Sequence, residues 1–234
     1  RKGIVPVLKF NHQLARLKFF VRAGSESAAG YKYEASNWVE RKSTDGQDKT
    51  LGMQVTKITL KDMVNVVDMD LATTTSARNG ASTAPFVVCS KDADNKNKLD
   101  PDKGLITPVV PKYPYGHENI PAEGDPDAKG TQVGEPVMFF PNGNISLSID
   151  LKQYVEDTKD ETDGDKITYK EVEKLDTPLI IDQSKISKDV KEFKAGASYN
   201  VYITIYGFEK IEVTAVLTAW EDGGDIETDI EDGK

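Results

Sequence analysis

The fold of this chain is decided by two runs near its C-terminal end, residues 199–206 and 211–220. The first reads Tyr-Asn-Val-Tyr-Ile-Thr-Ile-Tyr and the second reads Ile-Glu-Val-Thr-Ala-Val-Leu-Thr-Ala-Trp. Both are rich in the β-branched and aromatic residues that favour strands, and Gly207 separates them where a turn is needed. Side chains alternate between the two faces of a strand, so one face of the second run holds Ile211, Val213, Ala215, Leu217 and Ala219. The pattern predicts an antiparallel hairpin.

Other stretches predict strands of the same kind. Residues 145–151 alternate apolar and polar side chains and predict a half-buried strand. In residues 4–22 the apolar side chains change from even to odd positions, which predicts a β-bulge or corner near Ala15 and Arg16. Further strands are predicted at residues 54–60, 86–89, 105–110, 167–172 and 179–181. No segment shows a helical period over three turns.

The alternation is lost between residues 73 and 133. This stretch contains many of the chain's prolines, and proline removes a backbone donor from a strand ladder. We therefore predict a long surface insertion over residues 73–133. Residues 156–166 are mostly charged and predict a solvated loop.

The composition excludes several classes of partner. The chain has 234 residues with a net charge of -9, and an acidic protein is repelled by nucleic acid and by anionic membranes. Cys89 is the single cysteine, so no intrachain disulfide can form. The chain opens at Arg1, and we expect a processed or truncated product whose localisation signals have been removed.

Motifs that indicate chemistry are missing from the sequence. It has no phosphate-binding glycine loop and no nucleophile elbow. Its two histidines are His12, predicted to be a hydrogen-bonded core residue, and His117, predicted to be exposed. We therefore expect no enzyme activity, no catalytic residue, no metal site and no cofactor. A hydrolase with paired carboxylates is the weakest alternative, because the chain has 39 acidic residues.

Aromatic residues offer a second kind of site. Trp38, Tyr113 and Tyr115 are candidate ligand contacts, and Tyr31 and Tyr33 lie near Trp38 in the sequence. Such residues can form a platform for carbohydrate. The alternative is that they fix loops onto the body of the domain.

Three blocks of sequence, taken together, resemble a known family. They are residues 7–17, residues 134–151, and residues 193–224. Their order and spacing resemble the C-terminal half of the fimbrillin family, the Mfa-like or type V pilin proteins of Gram-negative anaerobes. The landmarks are a Phe-x-His-x-Leu-Ala-Arg strand at residues 10–16, Tyr199 before the hairpin, and Trp220 before the tail.

The resemblance implies a structural role at the cell surface. Members of this family have two transthyretin-like β-sandwich domains, are exported as lipoproteins and anchored in the outer membrane, and are cut by a trypsin-like protease. Their subunits then polymerise by strand exchange, so the implied partners are other pilin subunits. This chain starts where the second domain of the family starts, so we expect outer-membrane anchoring only through a missing N-terminal lipidated segment. Cys89 is not at a lipobox.

The tail beyond the hairpin has the pattern of a donated strand. Its odd positions are nearly all acidic, whereas Ile226, Thr228 and Ile230 lie on even positions after Trp220. One face can therefore enter an apolar groove while the other stays in water, as strand addition requires. Trp220, Ile226, Thr228 and Ile230 are the candidate donor residues, and a frayed acidic tail is the alternative.

Together these observations predict an all-β, transthyretin-like or immunoglobulin-like β-sandwich of about seven core strands with a long loop insertion. We expect a domain over residues 1–220 and an acidic tail over residues 221–234. The predicted function is a structural or accessory fimbrial subunit that assembles by β-strand exchange. The alternative is a surface adhesin that recognises glycan or host protein through the insertion at 73–133.

Overall fold

The structure is a computed structural model that describes residues 13–64, 67–70, 75–78, 83–92, 98–99, 104–105, 107–121, 125–160, 166–186 and 191–218. It is an all-β sandwich of two four-stranded sheets. The described residues contain 14 strands and two short 3₁₀ turns, at Pro126–Lys129 and Gln183–Lys185. No described helix is long and apolar enough to cross a membrane.

The first sheet joins strands from opposite ends of the described chain. In spatial order its strands are β10 (Thr131–Phe139), β1 (Ala15–Ala23), β13 (Ser198–Ile205) and β14 (Ile211–Thr218). β1 is antiparallel to β10 and parallel to β13. β13 and β14 form the predicted antiparallel hairpin, with Ile205 opposite Ile211 and Ser198 opposite Thr218.

The second sheet is antiparallel throughout. Its strands, in spatial order, are β12 (Lys166–Ile181), β11 (Ile145–Asp160), β4 (Gln54–Val64) and β7 (Thr83–Val87). Three two-stranded ribbons complete the described strands: β2 (Tyr31–Glu34) with β3 (Asn37–Glu40), β5 (Val67–Asp70) with β6 (Thr75–Arg78), and β8 (Lys91–Asp92) with β9 (Lys98–Leu99).

The core lies between the two sheets, and every second side chain of the central strands points into it. In β1 the odd positions from Ala15 to Ala23 are buried, as the alternation predicts. Burial of each large aliphatic or aromatic side chain contributes about 1.5–3 kcal/mol. The central core side chains are Leu17, Phe19, Val21, Ile58, Leu60, Leu147, Ile149, Tyr199, Val201 and Ile203.

The bulge or corner predicted near Ala15 and Arg16 rests on residues 4–12, which lie outside the described part of the chain. An irregularity lies close to that position. The pairing of β1 with β10 changes register between Leu17 and Phe19, and the extra residues are on β10. Gly134 takes a φ of +62° there, a left-handed conformation that glycine adopts without strain.

The long hairpin of β11 and β12 differs from the solvated loop that was predicted at residues 156–166. Residues 156–160, predicted as part of a charged loop, extend β11, and β12 is continuous where two short strands were expected. Cross-strand pairing explains the difference, since Lys170 lies opposite Val155 and forms an ion pair with Asp157 at 2.8 Å.

Part of the predicted surface insertion belongs to the sandwich. β7 lies within residues 73–133 and pairs with β4, and Val88 and Leu105 are buried in the core. The strand predicted at residues 105–110 is not formed among the residues described there, which contribute a single bridge between Val109 and Val55.

Candidate functional site

The β2–β3 hairpin positions the first aromatic side chains of a cluster. Its turn residues, Ala35 and Ser36, both have positive φ angles, of 48° and 66°. Two such residues form the turn type that matches the twist of a hairpin. The pairing places Tyr33 directly opposite Trp38, with ring centroids 5.2 Å apart.

Residues 107–121 complete this cluster from the other side. The Trp38 ring lies 4.8 Å from the ring of Tyr113 and 5.0 Å from that of His117. The indole nitrogen of Trp38 donates a hydrogen bond of 3.0 Å to the carbonyl of Asn119. His117, predicted to be exposed, is half-buried because Trp38 packs against its ring. We call Tyr31, Tyr33, Trp38, Tyr113 and His117 the aromatic cluster.

The three candidate ligand contacts occupy different environments. Tyr113 is 8% exposed and Trp38 is half-buried, so both rings pack mainly against protein. Tyr115 is 55% exposed and lies outside the cluster, with the Arg22 guanidinium 4.2 Å from its ring centroid. Arg22 also lies 3.5 Å from the ring centroid of Tyr202. Their role in binding a ligand stays a prediction.

A small polar network holds the base of the aromatic cluster. One carboxylate oxygen of Asp125 accepts hydrogen bonds from the Lys112 ammonium at 2.8 Å and from the Tyr113 hydroxyl at 2.6 Å. Its other oxygen accepts from the backbone amide of Asp127 at 2.9 Å. These bonds, that from Lys112 first, lower the pKa of Asp125 to about 2, and the bond to Asp125 raises the pKa of Lys112.

A second candidate site is an open groove between β12 and β14. It has a volume of about 660 Å³ and is lined by Pro178, Leu179, Ile180, Lys185, Ile211, Glu212, Val213 and Thr214. Among the described residues, β12 and β14 each pair with a neighbouring strand on one side only. The groove therefore lies between two sheet edges that present backbone donors and acceptors.

Apolar side chains are unusually exposed along these two edges. Leu175 is 64% exposed and Ile180 is 60% exposed on β12, while Val216 and Leu217 are exposed on β14. Sequence reasoning did not single out Leu175 or Ile180 as site residues. The signal available was that β12 retains apolar residues on both faces at residues 178–181, as in a strand covered on both sides.

The candidate donor residues Trp220, Ile226, Thr228 and Ile230 lie outside the described part of the chain. His12 lies outside it as well. Among the residues that the structure describes, no group of three or more His, Cys, Asp or Glu side chains could hold a metal ion.

The described residues define a β-sandwich domain with an aromatic cluster and an open groove between β12 and β14. No family model and no curated protein matches the chain. Among solved structures it is similar to a crystal structure of a Bacteroides uniformis protein proposed to act in cell adhesion, at 13% identity with a TM-score of 0.39. The similarity covers 90% of this chain, which spans 52% of the length of that protein. A likeness this distant carries no functional argument.

Proposed function

We propose that this chain is a structural or accessory subunit of a fimbria, joined to its neighbours by β-strand addition. The observation that supports this proposal is the open groove between β12 and β14. A strand inserted there forms main-chain hydrogen bonds with a sheet edge and places alternate side chains against apolar residues. The role is structural and involves no bond-making chemistry by side chains.

The proposed occupant is the segment of residues 221–234 from a second copy of the chain. Fully extended, it reaches about 46 Å at ~3.3 Å per residue, whereas the eight residues of β14 span about 26 Å. Ile226 and Ile230 share the face that enters the groove, and acidic residues share the other face. Lys185 and Glu212 both line the groove, so its lining has no net charge that would repel the inserted segment.

The resemblance to the fimbrillin family supports the same role. Strand exchange between subunits requires backbone donors and acceptors at a sheet edge, and β12 and β14 are such edges among the described strands. The proposal places the protein at the surface of a Gram-negative bacterium, in a fimbrium attached to the outer membrane through a lipidated segment outside this chain.

Deletion of residues 221–234 tests the donor side of the joint. We expect the truncated chain to remain a folded monomer by circular dichroism and light scattering, while the full chain forms polymers that electron microscopy detects. A peptide of residues 219–234 is then expected to bind the truncated chain.

Substitution in the groove tests the acceptor side. Ile180→Asp places a charge among the apolar side chains of the groove, and we expect it to abolish both peptide binding and polymer formation. Met138→Asp is the matched control, because Met138 is 45% exposed on the other outer strand of the first sheet. If the truncated chain polymerises as the full chain does, or if Ile180→Asp leaves both readouts unchanged, the proposal is wrong.

Adhesion through residues 107–121 is a second candidate function. The exposed Tyr115 ring beside Arg22 favours it, because an aromatic ring and a guanidinium together can contact a glycan or a protein partner. Tyr115→Ala is expected to weaken attachment of the protein to a host-cell surface and to leave assembly intact. Equal attachment by the variant would remove this candidate.

A further inference from the structure

A small cavity lies beside the aromatic cluster, in a part of the molecule that the assembly role does not use. Its volume is about 180 Å³. At ~30 Å³ per molecule this equals the space of about six waters, which is close to the volume of one hexose ring. Its lining residues are Gly30, Tyr31, Glu40, Thr50, Val110, Lys112, Asp127 and Thr131.

Backbone contacts fix the walls of this cavity. The amide of Gly30 donates to the carbonyl of Pro111 at 2.9 Å, and the amide of Tyr31 donates to the carbonyl of Lys112 at 3.0 Å. A Cβ atom on Gly30 would lie 2.9 Å from Cγ1 of Val110, so glycine allows the two segments to approach closely. The cavity is therefore preformed.

The lining combines an aromatic side chain with polar groups of both signs. Lys112 is held by Asp125 at 2.8 Å and lies 3.9 Å from a carboxylate oxygen of Asp127. Glu40 adds a second carboxylate to the lining, and it pairs with Lys42 at 3.4 Å. The cavity thus offers two carboxylates as acceptors, one ammonium as a donor, and threonine hydroxyls that do both.

We infer that this cavity binds one neutral hexose unit of a glycan. The hydroxyls of a sugar donate to the carboxylates of Asp127 and Glu40 and accept from Lys112, while its C–H groups contact the Tyr31 ring. Two carboxylates against one ammonium give the lining a net negative charge, which disfavours a sugar acid.

This inference does not depend on the proposed assembly role, because no residue of β12 or β14 lines the cavity. It is also distinct from the Tyr115 surface, since Tyr115 is not among the lining residues. A failure of this inference can therefore be distinguished by experiment from a failure of the proposed assembly role.

The test is a titration of the isotopically labelled full chain carrying Ile180→Asp, which the assembly proposal expects to stay monomeric, followed by amide chemical shifts in NMR spectra. Ile180 does not line the cavity. The probes are the methyl glycosides of galactose, N-acetylglucosamine and glucuronic acid. We expect at least one neutral glycoside to shift the amides of Tyr31, Lys112 and Thr131 with a millimolar Kd, and the glucuronide to bind about tenfold more weakly.

Asp127→Asn is the decisive variant, because it keeps the shape of the side chain and removes its charge. We expect it to weaken binding of the neutral glycoside about tenfold, the size expected for a hydrogen bond to a charged group. The control is Asp157→Asn, which changes an ion-paired carboxylate on β11 outside the cavity lining and is expected to bind as the parent chain does. The inference is overturned if neither neutral glycoside shifts these amides at about 50 mM, if the glucuronide binds as tightly, or if Asp127→Asn has no effect.

Discussion

The backbone amide of Glu135 donates a hydrogen bond of 2.7 Å to the carbonyl of Cys89. This bond connects β10, an outer strand of the first sheet, to the segment that follows β7, an outer strand of the second sheet. One side of the sandwich is therefore closed by protein contacts. On the other side, a hydrogen bond of 2.8 Å from the Lys174 ammonium to the carbonyl of Phe208 joins β12 to the β13–β14 turn, and the groove lies between β12 and β14.

Gly134→Ala is expected to open the closed side. A Cβ atom at this position would lie 2.6 Å from Cγ1 of Val88 and 2.8 Å from the carbonyl oxygen of Cys89, so the backbone has to move. Gly134 also has a φ of +62°, which strains any residue with a side chain. We expect the clash and the strain together to lower the free energy of unfolding by about 3 kcal/mol. Chemical denaturation measures this loss.

Gly143→Ala is the matched control for that substitution. Gly143 has a φ of +88°, and no atom lies within 4 Å of an added Cβ. We expect only the strain of the left-handed conformation, about 1 kcal/mol. Equal losses for the two variants would contradict the role given to the contacts of Gly134.

Asp125→Asn is expected to loosen the base of the aromatic cluster. The amide oxygen can still accept from Lys112 and Tyr113, but it carries no charge. The amide nitrogen would then face the backbone amide of Asp127, and two donors cannot bond to each other. We expect a loss of about 1–2 kcal/mol at neutral pH, since the network is partly buried. Denaturation monitored by tyrosine and tryptophan fluorescence gives the value, and Asp157→Asn, in an exposed ion pair, is expected to lose under about 0.5 kcal/mol.

Lowering the pH is expected to remove the stabilisation that the Asp125 carboxylate provides. The hydrogen bonds to Asp125, that from Lys112 first, hold its pKa at about 2 in the folded chain, below the ordinary value of 3.8. Its contribution to the free energy of unfolding is therefore complete above about pH 4 and is lost as the pH falls towards about 2. The difference in stability between wild type and Asp125→Asn should shrink over this range, and a difference that stays constant would contradict the assignment.

Trp38→Ala is expected to release residues 107–121 from the β2–β3 hairpin. It removes ring contacts with Tyr113 and His117 and the hydrogen bond to Asn119. We expect faster amide hydrogen exchange in residues 113–120, with little change in β11. Tyr115→Ala is the control, because the exposed Tyr115 ring lies outside the aromatic cluster.

Local patterns in the sequence predicted the local parts of the fold. The β13–β14 hairpin follows from alternating β-branched residues around Gly207, and residues 145–151 of β11 follow from their alternation. The sequence could not show that the charged residues 156–160 extend this strand. These residues form a strand because they pair with β12. Glu156, Asp157 and Thr158 are all exposed, so the sequence there has the charged composition typical of a loop.

The candidate site was predicted only in part. Trp38 and Tyr113 were predicted as candidates and lie together, whereas Tyr115 is separate because it lies beside Arg22 on β1. The groove depends on which strands lie at the edges of the two sheets. That order is set by pairings between distant residues, such as Phe19 with Val201, and no local pattern records it.

The parallel pairing of β1 with β13 bears on how the polypeptide acquires its structure. β1 is bonded on one side to residues near 135 and on the other to residues near 200, so its neighbours emerge from the ribosome long after it does. In a nascent polypeptide that stops before residue 198, one edge of β1 has no strand to pair with, because β13 has not yet been made. We therefore expect the first sheet to form only after synthesis has passed β13, and at a slow rate, because contacts between distant residues delay folding.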